Sequence, residues 1–252
     1  MEQKLGRTPA ILATILTAAV ACVLRGNQLL TAYDETGRVI VGAEKGPLTW
    51  LSVAVVIVSA VYSFYLRPRK KYHAIADRSP ALLGLTLLAA AAMVLASVTM
   101  ALELEQMCDL LLATGGLVAA ICWVVVGLDR VRGRKSPAAL FMVPALFYAV
   151  ELSCNFRNWS LDPQILDYCF ELLALICVMC ATFHLGGFCF DKGGRRITVF
   201  FCFCGIFFSA ASLGEGTLRS VSTSSSAILW LFSNLCPQLR PSRKRQDETG
   251  EP

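Results

Sequence analysis

Long apolar runs recur along the whole chain and alternate with short polar segments. A helix rises about 1.5 Å per residue, so roughly 20 apolar residues cross a hydrocarbon core about 30 Å thick. The pattern therefore predicts an all-α protein, a polytopic transmembrane bundle of about eight spans that forms one domain over residues 1–238. The predicted spans are 9–24, 47–66, 80–101, 107–128, 137–154, 163–187, 197–213 and 218–238.

Prolines mark the start of five of these spans. Proline at the first helical position loses no hydrogen bond, and a preceding Ser, Thr or Asp caps free backbone N–H groups. The pairs are Thr8-Pro9, Gly46-Pro47, Ser79-Pro80, Ser136-Pro137 and Asp162-Pro163. The eighth span has no such mark, and its first half, residues 219–226, is polar. Its Ser and Thr hydroxyls can bond to the backbone of the preceding turn, so a packed helix is still predicted there.

The basic residues predict the orientation of the spans. Of the 23 Lys and Arg residues, all but five fall on one predicted side of the membrane. The five on the other side are Arg25, Arg38, Lys45, Arg157 and Arg219. Short cytoplasmic loops carry the excess of Lys and Arg, so both termini are predicted to be cytoplasmic. Residues 239–252 are predicted to form a basic, disordered cytoplasmic tail, and only an even number of spans places it there.

Composition agrees with this interpretation and limits the kinds of partner that the sequence predicts. The chain is 56% hydrophobic and 16% charged, and its formal net charge is +5. Topology alone explains the positive charge, so no nucleic acid is predicted as a partner. The bilayer itself is the predicted partner, with anionic lipids of the inner leaflet attracted to one basic loop. That loop contributes Arg67, Arg69, Lys70 and Lys71.

The longest predicted outer loop, residues 25–46, differs from the spans. Two runs rich in Leu, Val and Ile, residues 29–33 and 38–42, flank the polar segment Asp34-Glu-Thr-Gly37. Such runs around a glycine-ended turn predict a small β-hairpin on the outer face.

Acidic residues within spans are the strongest candidates for chemistry, because ionisable groups in lipid are costly and often functional. Glu151, Asp167, Glu171 and His184 form the predicted cation or proton site. Asp167 and Glu171 are four residues apart and share one helix face, and Glu171 is predicted to lie about two turns into span six. In the alternative interpretation, the acids lie near helix ends and reach headgroup water.

Cysteine is abundant but predicts neither a metal site nor disulfides. Cys169, Cys177, Cys180 and His184 share one stripe of span six, yet they extend over about 22 Å and cannot all bind one ion. The sequence also lacks the GxxxxGK[ST], HExxH and GxSxG motifs. No catalytic residue, metal or cofactor is therefore predicted.

Three segments carry a resemblance to known proteins: TAYDETGRVIVG at 31–42, LDYCFELLALI at 166–176 and FHLGGF at 183–188. With the hydropathy profile, they resemble a group of functionally uncharacterised multi-span membrane proteins from clostridial gut anaerobes. The resemblance implies a bacterial cell membrane and carries no activity, cofactor or protein partner with it.

Three functions are open at this point. The first is a non-enzymatic membrane component or complex subunit. The second is a transporter of protons or a small cation, for which Pro144 and Gly115-Gly116 are candidate helix breaks near the midplane. The third is an intramembrane enzyme, for which the sequence offers no nucleophile and base.

Overall fold

All regular structure in the computed structural model is helical across the residues it describes, which are 7–32, 46–72, 75, 77–102, 107–159 and 168–240. A short 3₁₀ turn, Leu213–Glu215, joins the last two helices. The α-helices are α1 Arg7–Ala32, α2 Gly46–Tyr65, α3 Pro80–Leu102, α4 Met107–Arg132, α5 Ala139–Trp159, α6 Cys169–Cys189, α7 Arg195–Ser212 and α8 Leu218–Gln238.

Seven helices, α1 to α7, are long and apolar enough to cross a membrane. Large apolar side chains cover the outer surface of α1 to α5, where a soluble protein would place polar groups. Examples, one from each helix, are Leu16, Val58, Leu88, Ile121 and Leu146. The chain therefore has the helices and the exposed apolar surface of a multi-pass membrane protein.

Six of the helices form a closed ring. Around the ring, α3 packs beside α4, α4 beside α5, α5 beside α6, α6 beside α7, α7 beside α8, and α8 beside α3. Helices α1 and α2 lie outside the ring and pack mainly on α7. The ring encloses the largest buried side chains, which include Trp123, Tyr148 and Trp230.

The polar helix α8 lies beside α7 at both of its ends. At one end the Ser220 hydroxyl donates to the Ser212 carbonyl at 3.3 Å, and at the other Arg195 Nε donates to the Gln238 carbonyl at 2.7 Å. The hydroxyls of Ser222 and Ser226 donate to carbonyls of their own helix at 2.7 Å. These bonds confirm the predicted return of serine hydroxyls to the backbone, which lets a polar segment be buried.

The two ends of the ring differ in charge. We call the end that carries Arg67, Arg130, Arg195 and Arg240 the basic end, and the opposite end, with Asp109 and Glu151, the acidic end. Arg195 ties the basic end together, because its Nη1 donates to the Arg67 carbonyl at 3.2 Å while its Nε holds α8.

Asp191 joins three connections at the basic end. Its Oδ1 accepts the Tyr72 backbone N–H at 3.0 Å, and its Oδ2 accepts the Lys135 ammonium at 3.0 Å. The Tyr72 hydroxyl in turn lies 3.1 Å from the Ser136 hydroxyl and accepts the Ser136 backbone N–H at 3.1 Å. The α2–α3, α4–α5 and α6–α7 connections are thereby held against one another.

The prediction of a β-hairpin at residues 25–46 is wrong for its first strand. Residues 29–32 continue α1, and residues 33–45 lie outside the described part of the chain. The helix extends because no proline interrupts it and because Arg25 stabilises this turn. Its guanidinium donates to Gln28 Oε1 at 3.3 Å and lies 5.5 Å from the Phe170 ring centroid.

The proposed helix breaks are also absent from α4 and α5, both of which are described throughout. Helix α5 continues through Pro144, and α4 continues through Gly115 and Gly116. Gly116 serves packing, because a Cβ at this position would collide with the Ser97 hydroxyl of α3. Small residues at such positions let two helix backbones approach closely.

Candidate functional site

A line of buried polar and aromatic side chains runs through the centre of the ring, and we call it the central column. Its members come from α4, α5 and α8, and most of them are nearly inaccessible. They are Glu151, Tyr148, Trp123, Trp230, Asn234 and Arg130, in order from the acidic to the basic end.

Glu151 is the acidic member of the column. Its side chain is 3% exposed, and its Oε2 is buried without a hydrogen-bond partner in the part of the chain that the structure describes. An unpartnered carboxylate oxygen away from water is energetically costly. A proton or a small cation would satisfy it.

Arg219 is the cation that acts on Glu151. It belongs to the first turn of α8, and its Nη1 lies 3.4 Å from Asp109 Oδ1 on α4. One guanidinium thus serves two carboxylates from two other helices. This leaves the group of three with a negative formal charge when both acids are ionised.

Aromatic side chains fill the middle of the column. The rings of Trp123 and Trp230 stack at 4.8 Å with planes 10° apart, and Tyr148 stacks on Trp123 at 6.5 Å. The Trp230 indole N–H donates to the Thr182 hydroxyl at 3.2 Å. The Trp123 indole nitrogen is buried without a hydrogen-bond partner among the described residues. The middle of the ring is therefore packed, yet it retains an unused polar atom.

Arg130 closes the column at the basic end. It is 3% exposed, its Nη2 donates to Asn234 Oδ1, and its guanidinium carbon lies 5.9 Å from the Trp230 ring centroid. Its Nε and Nη1 are buried and unpartnered within the described ranges. The column thus has a carboxylate towards one end and a guanidinium at the other, with aromatic rings between them.

The structure describes three of the four predicted site residues. Glu151 lies in the column, whereas Asp167 lies outside the described residues. Glu171 is half-buried in the first turn of α6, because the described helix begins at Cys169, so its predicted depth of two turns is wrong. His184 stacks on Phe201 of α7 at 5.9 Å, away from the column.

Cysteines and histidines do not assemble a metal centre in the described chain. All eleven cysteines are free thiols. Among the described residues, no group of three or more His, Cys, Asp and Glu side chains is placed to hold a metal ion. Glu151 and Arg130 are the charged members of the column.

Most of the column is not predicted from the sequence. Acidic residues were considered by their depth in the spans, and basic residues only by the side of the membrane that they indicate. The charge pattern predicts that Arg130 follows the fourth span on the cytoplasmic side, whereas it is buried in the last turn of α4. A signal did exist in α8, where polar and aromatic residues recur every three or four positions, as on one helix face. They are Arg219, Ser222, Ser226, Trp230, Asn234 and Gln238.

The fold and the column together define a class: a helical protein with seven membrane-compatible helices and a polar line within a six-helix ring. No family model, curated protein or solved structure matches the chain.

Proposed function

We propose that this protein is a non-enzymatic, eight-span protein of the bacterial cell membrane that moves protons or a small cation through the centre of its six-helix ring. Both termini are cytoplasmic in this proposal. Transport was the second of the sequence hypotheses, and the geometry of the column now favours it over a purely structural role.

Contacts at both ends of α8 support the eighth span. Because α7 is long and apolar enough to cross a membrane, a helix that meets α7 at both ends crosses the same distance. The helix is 21 residues long, or about 31 Å. The clustering of Arg67, Arg130, Arg195 and Arg240 at one end supports the cytoplasmic assignment of that end.

The observation that carries the transport proposal is the buried, unpartnered Oε2 of Glu151. A carboxylate in the interior of a helical membrane protein marks an ion or proton pathway more often than a structural contact. The guanidinium of Arg219 acts on Glu151 and also pairs with Asp109, so it is shared between two carboxylates. Binding of a proton or a cation neutralises the charge of Glu151. Release of the bound ion would then complete a transport step.

The experiment measures proton and sodium flux into vesicles that contain the purified protein. We expect faster flux than in empty vesicles, and we expect Glu151→Gln to return it to the empty-vesicle rate. Glutamine keeps the shape of the side chain and removes the exchangeable charge. Glu171→Gln is the matched control, since Glu171 lies at the start of α6, and it should keep the wild-type rate.

Three results would count against the proposal. Equal flux in protein-containing and empty vesicles would end it. Wild-type flux in Glu151→Gln would remove Glu151 from the pathway. Loss of flux in Glu171→Gln alone would place the pathway at α6.

A second candidate, a subunit that acts by its presence in a membrane complex, has one observation in its favour. The stacked Trp123 and Trp230 fill the middle of the ring, as a permanently packed core would. Equal flux in the vesicle experiment would favour this candidate.

The basic end also supports the proposed contact with anionic lipids of the inner leaflet. Arg67, Lys70 and Lys71 belong to the connection after α2, and exposed cations near a leaflet surface contribute about 1 kcal/mol each to binding. Arg69 completes the group.

A further inference from the structure

Among the residues that the structure describes, the guanidinium of Arg130 has no counter-ion of its own. The carboxylate that acts on it is that of Asp77. Asp77 Oδ2 already lies 2.6 Å from Arg240 Nη2 in an ion pair. One described carboxylate thus faces two guanidiniums, so positive charge exceeds negative charge among the described groups around Arg130.

The hydrogen bonds of the Arg130 guanidinium are also incomplete. Arg130 uses Nη2 for Asn234, while Nε and Nη1 point into the protein interior with no partner among the described residues. A buried charge without compensation destabilises a protein strongly, and an arginine presents its donors as a planar fork that matches a two-oxygen acceptor. A group that accepts hydrogen bonds and carries negative charge would satisfy the free donors and compensate the charge.

We propose that the basic end of the ring is a binding site for a small oxyanion, of which a carboxylate is the best match, built on the Arg130 guanidinium that Asn234 holds beside the Trp230 ring. The site lies at the other end of the column from Glu151 and uses different residues, so it stands independently of the proton or cation pathway. An incoming carboxylate would accept from Nη2, which has a second N–H, and from either Nε or Nη1, the pairs that form a fork. It would neutralise the charge that now faces the indole.

Trp230 provides a built-in reporter for the test. Its ring lies 5.9 Å from the Arg130 guanidinium, so neutralising that charge changes the tryptophan emission. The purified full chain is titrated with sodium acetate against a constant background of sodium chloride. We expect a saturable change in fluorescence. Arg130→Gln should weaken acetate binding at least about tenfold, as expected for the loss of charge-assisted hydrogen bonds.

Arg132→Gln is the matched control, because Arg132 is two residues away on the same helix and exposed. It should bind acetate as the wild type does. The absence of a saturable response in the wild type would overturn the proposal. An unchanged response in Arg130→Gln, or an equal loss in Arg132→Gln, would also overturn it.

A second variant covers the case in which Arg130→Gln does not fold. Asn234→Asp keeps the shape of the side chain and places a carboxylate against the guanidinium as an internal counter-ion. We expect this variant to unfold at a higher temperature than the wild type in acetate-free buffer and to lose the response to acetate. A lower unfolding temperature, or a retained response, would contradict the site.

Discussion

At the scale of single residues, Asp191 combines an unusual backbone conformation with two charge-dependent contacts. Its φ of 56° lies in the left-handed region, which Asp and Asn tolerate better than other non-glycine residues. The Tyr72 backbone N–H, and then the Lys135 ammonium, hold the pKa of the Asp191 carboxyl below its usual range. The ionised form is therefore the one that joins the three connections.

Asp191→Asn is expected to alter stability in a pH-dependent way. Because the folded state lowers the pKa of Asp191, its stabilisation is present above the unfolded pKa, about 3.9, and is lost as the pH falls through the lower folded value. The variant should unfold at a slightly lower temperature at neutral pH and lose less stability in acid. Thermal unfolding from pH 7 to pH 3 measures both. The neutral-pH change is small because the carboxylate is exposed.

Asparagine is chosen because it keeps the left-handed backbone favourable, so only the charge changes. If the variant and the wild type lose stability in parallel between pH 7 and pH 3, the ionised carboxylate is not what holds the connections.

Individual site residues were predictable only where the residue type is itself unusual at its position in the sequence. Glu151 stood out because an acid in an apolar run is rare and costly. Arg130 did not, because four arginines and lysines at 130–135 suggest a loop, and its burial depends on Asn234, which is 104 residues away in sequence. A contact between distant helices leaves no trace in a local pattern.

At the scale of elements, length and apolarity predicted the positions of α2, α3, α4 and α8 well at their starts. Helix α3 begins directly after Ser79, whose backbone carbonyl accepts the Leu82 N–H at 3.1 Å. The ring itself was not predictable. Average hydropathy does not distinguish the faces of a helix. The polar and aromatic face of α8, which packs inside the ring, therefore appears only as a low mean hydropathy.

Two glycines test whether α3 and α4 approach as closely as the ring requires. A Cβ at Gly116 would meet Ser97 and Met93 of α3, whereas a Cβ at Gly84 meets nothing within 4 Å. We expect Gly116→Ala to destabilise the protein by about 1–3 kcal/mol through overpacking. Gly84→Ala should stabilise it by up to about 1 kcal/mol, as alanine does in helix interiors. Unfolding of both variants in mild detergent provides the measurement.

The pair is informative because both changes add one methyl group to a transmembrane helix. Stabilisation at both positions would mean that α3 and α4 are further apart than described. Destabilisation at both would point to a general cost of alanine in this bundle.

At the scale of the whole molecule, the alternation of eight helices places the start of α1 and the end of α8 at the same end of the bundle. Arg195 connects that end to both the α2–α3 connection and the end of α8. The fold class and the alternation followed from sequence, since apolar length and charge bias are both local properties. The order of the helices around the ring could not be predicted from the sequence.

Reporter tags on the two termini of this chain test the proposed topology. We expect both tags to be accessible to a membrane-impermeant reagent only after the cells are permeabilised, because the proposed topology places both in the cytoplasm. A C-terminal tag that reacts in intact cells, with an N-terminal tag that does not, would indicate seven spans and would remove α8 from the membrane.

The closure of the ring by α8 has a consequence for biogenesis. Helix α8 is synthesised after α7, so for a time the ring lacks the side between α3 and α7, and Trp123, Arg130 and Glu151 face an open seam. Its serine-rich half is too polar to partition into lipid readily by itself, and that seam offers it a polar lining. Insertion of α8 is thus expected to follow the assembly of its neighbours. A nascent chain arrested before it would present unshielded charge to the lipid, the kind of defect on which membrane proteases act.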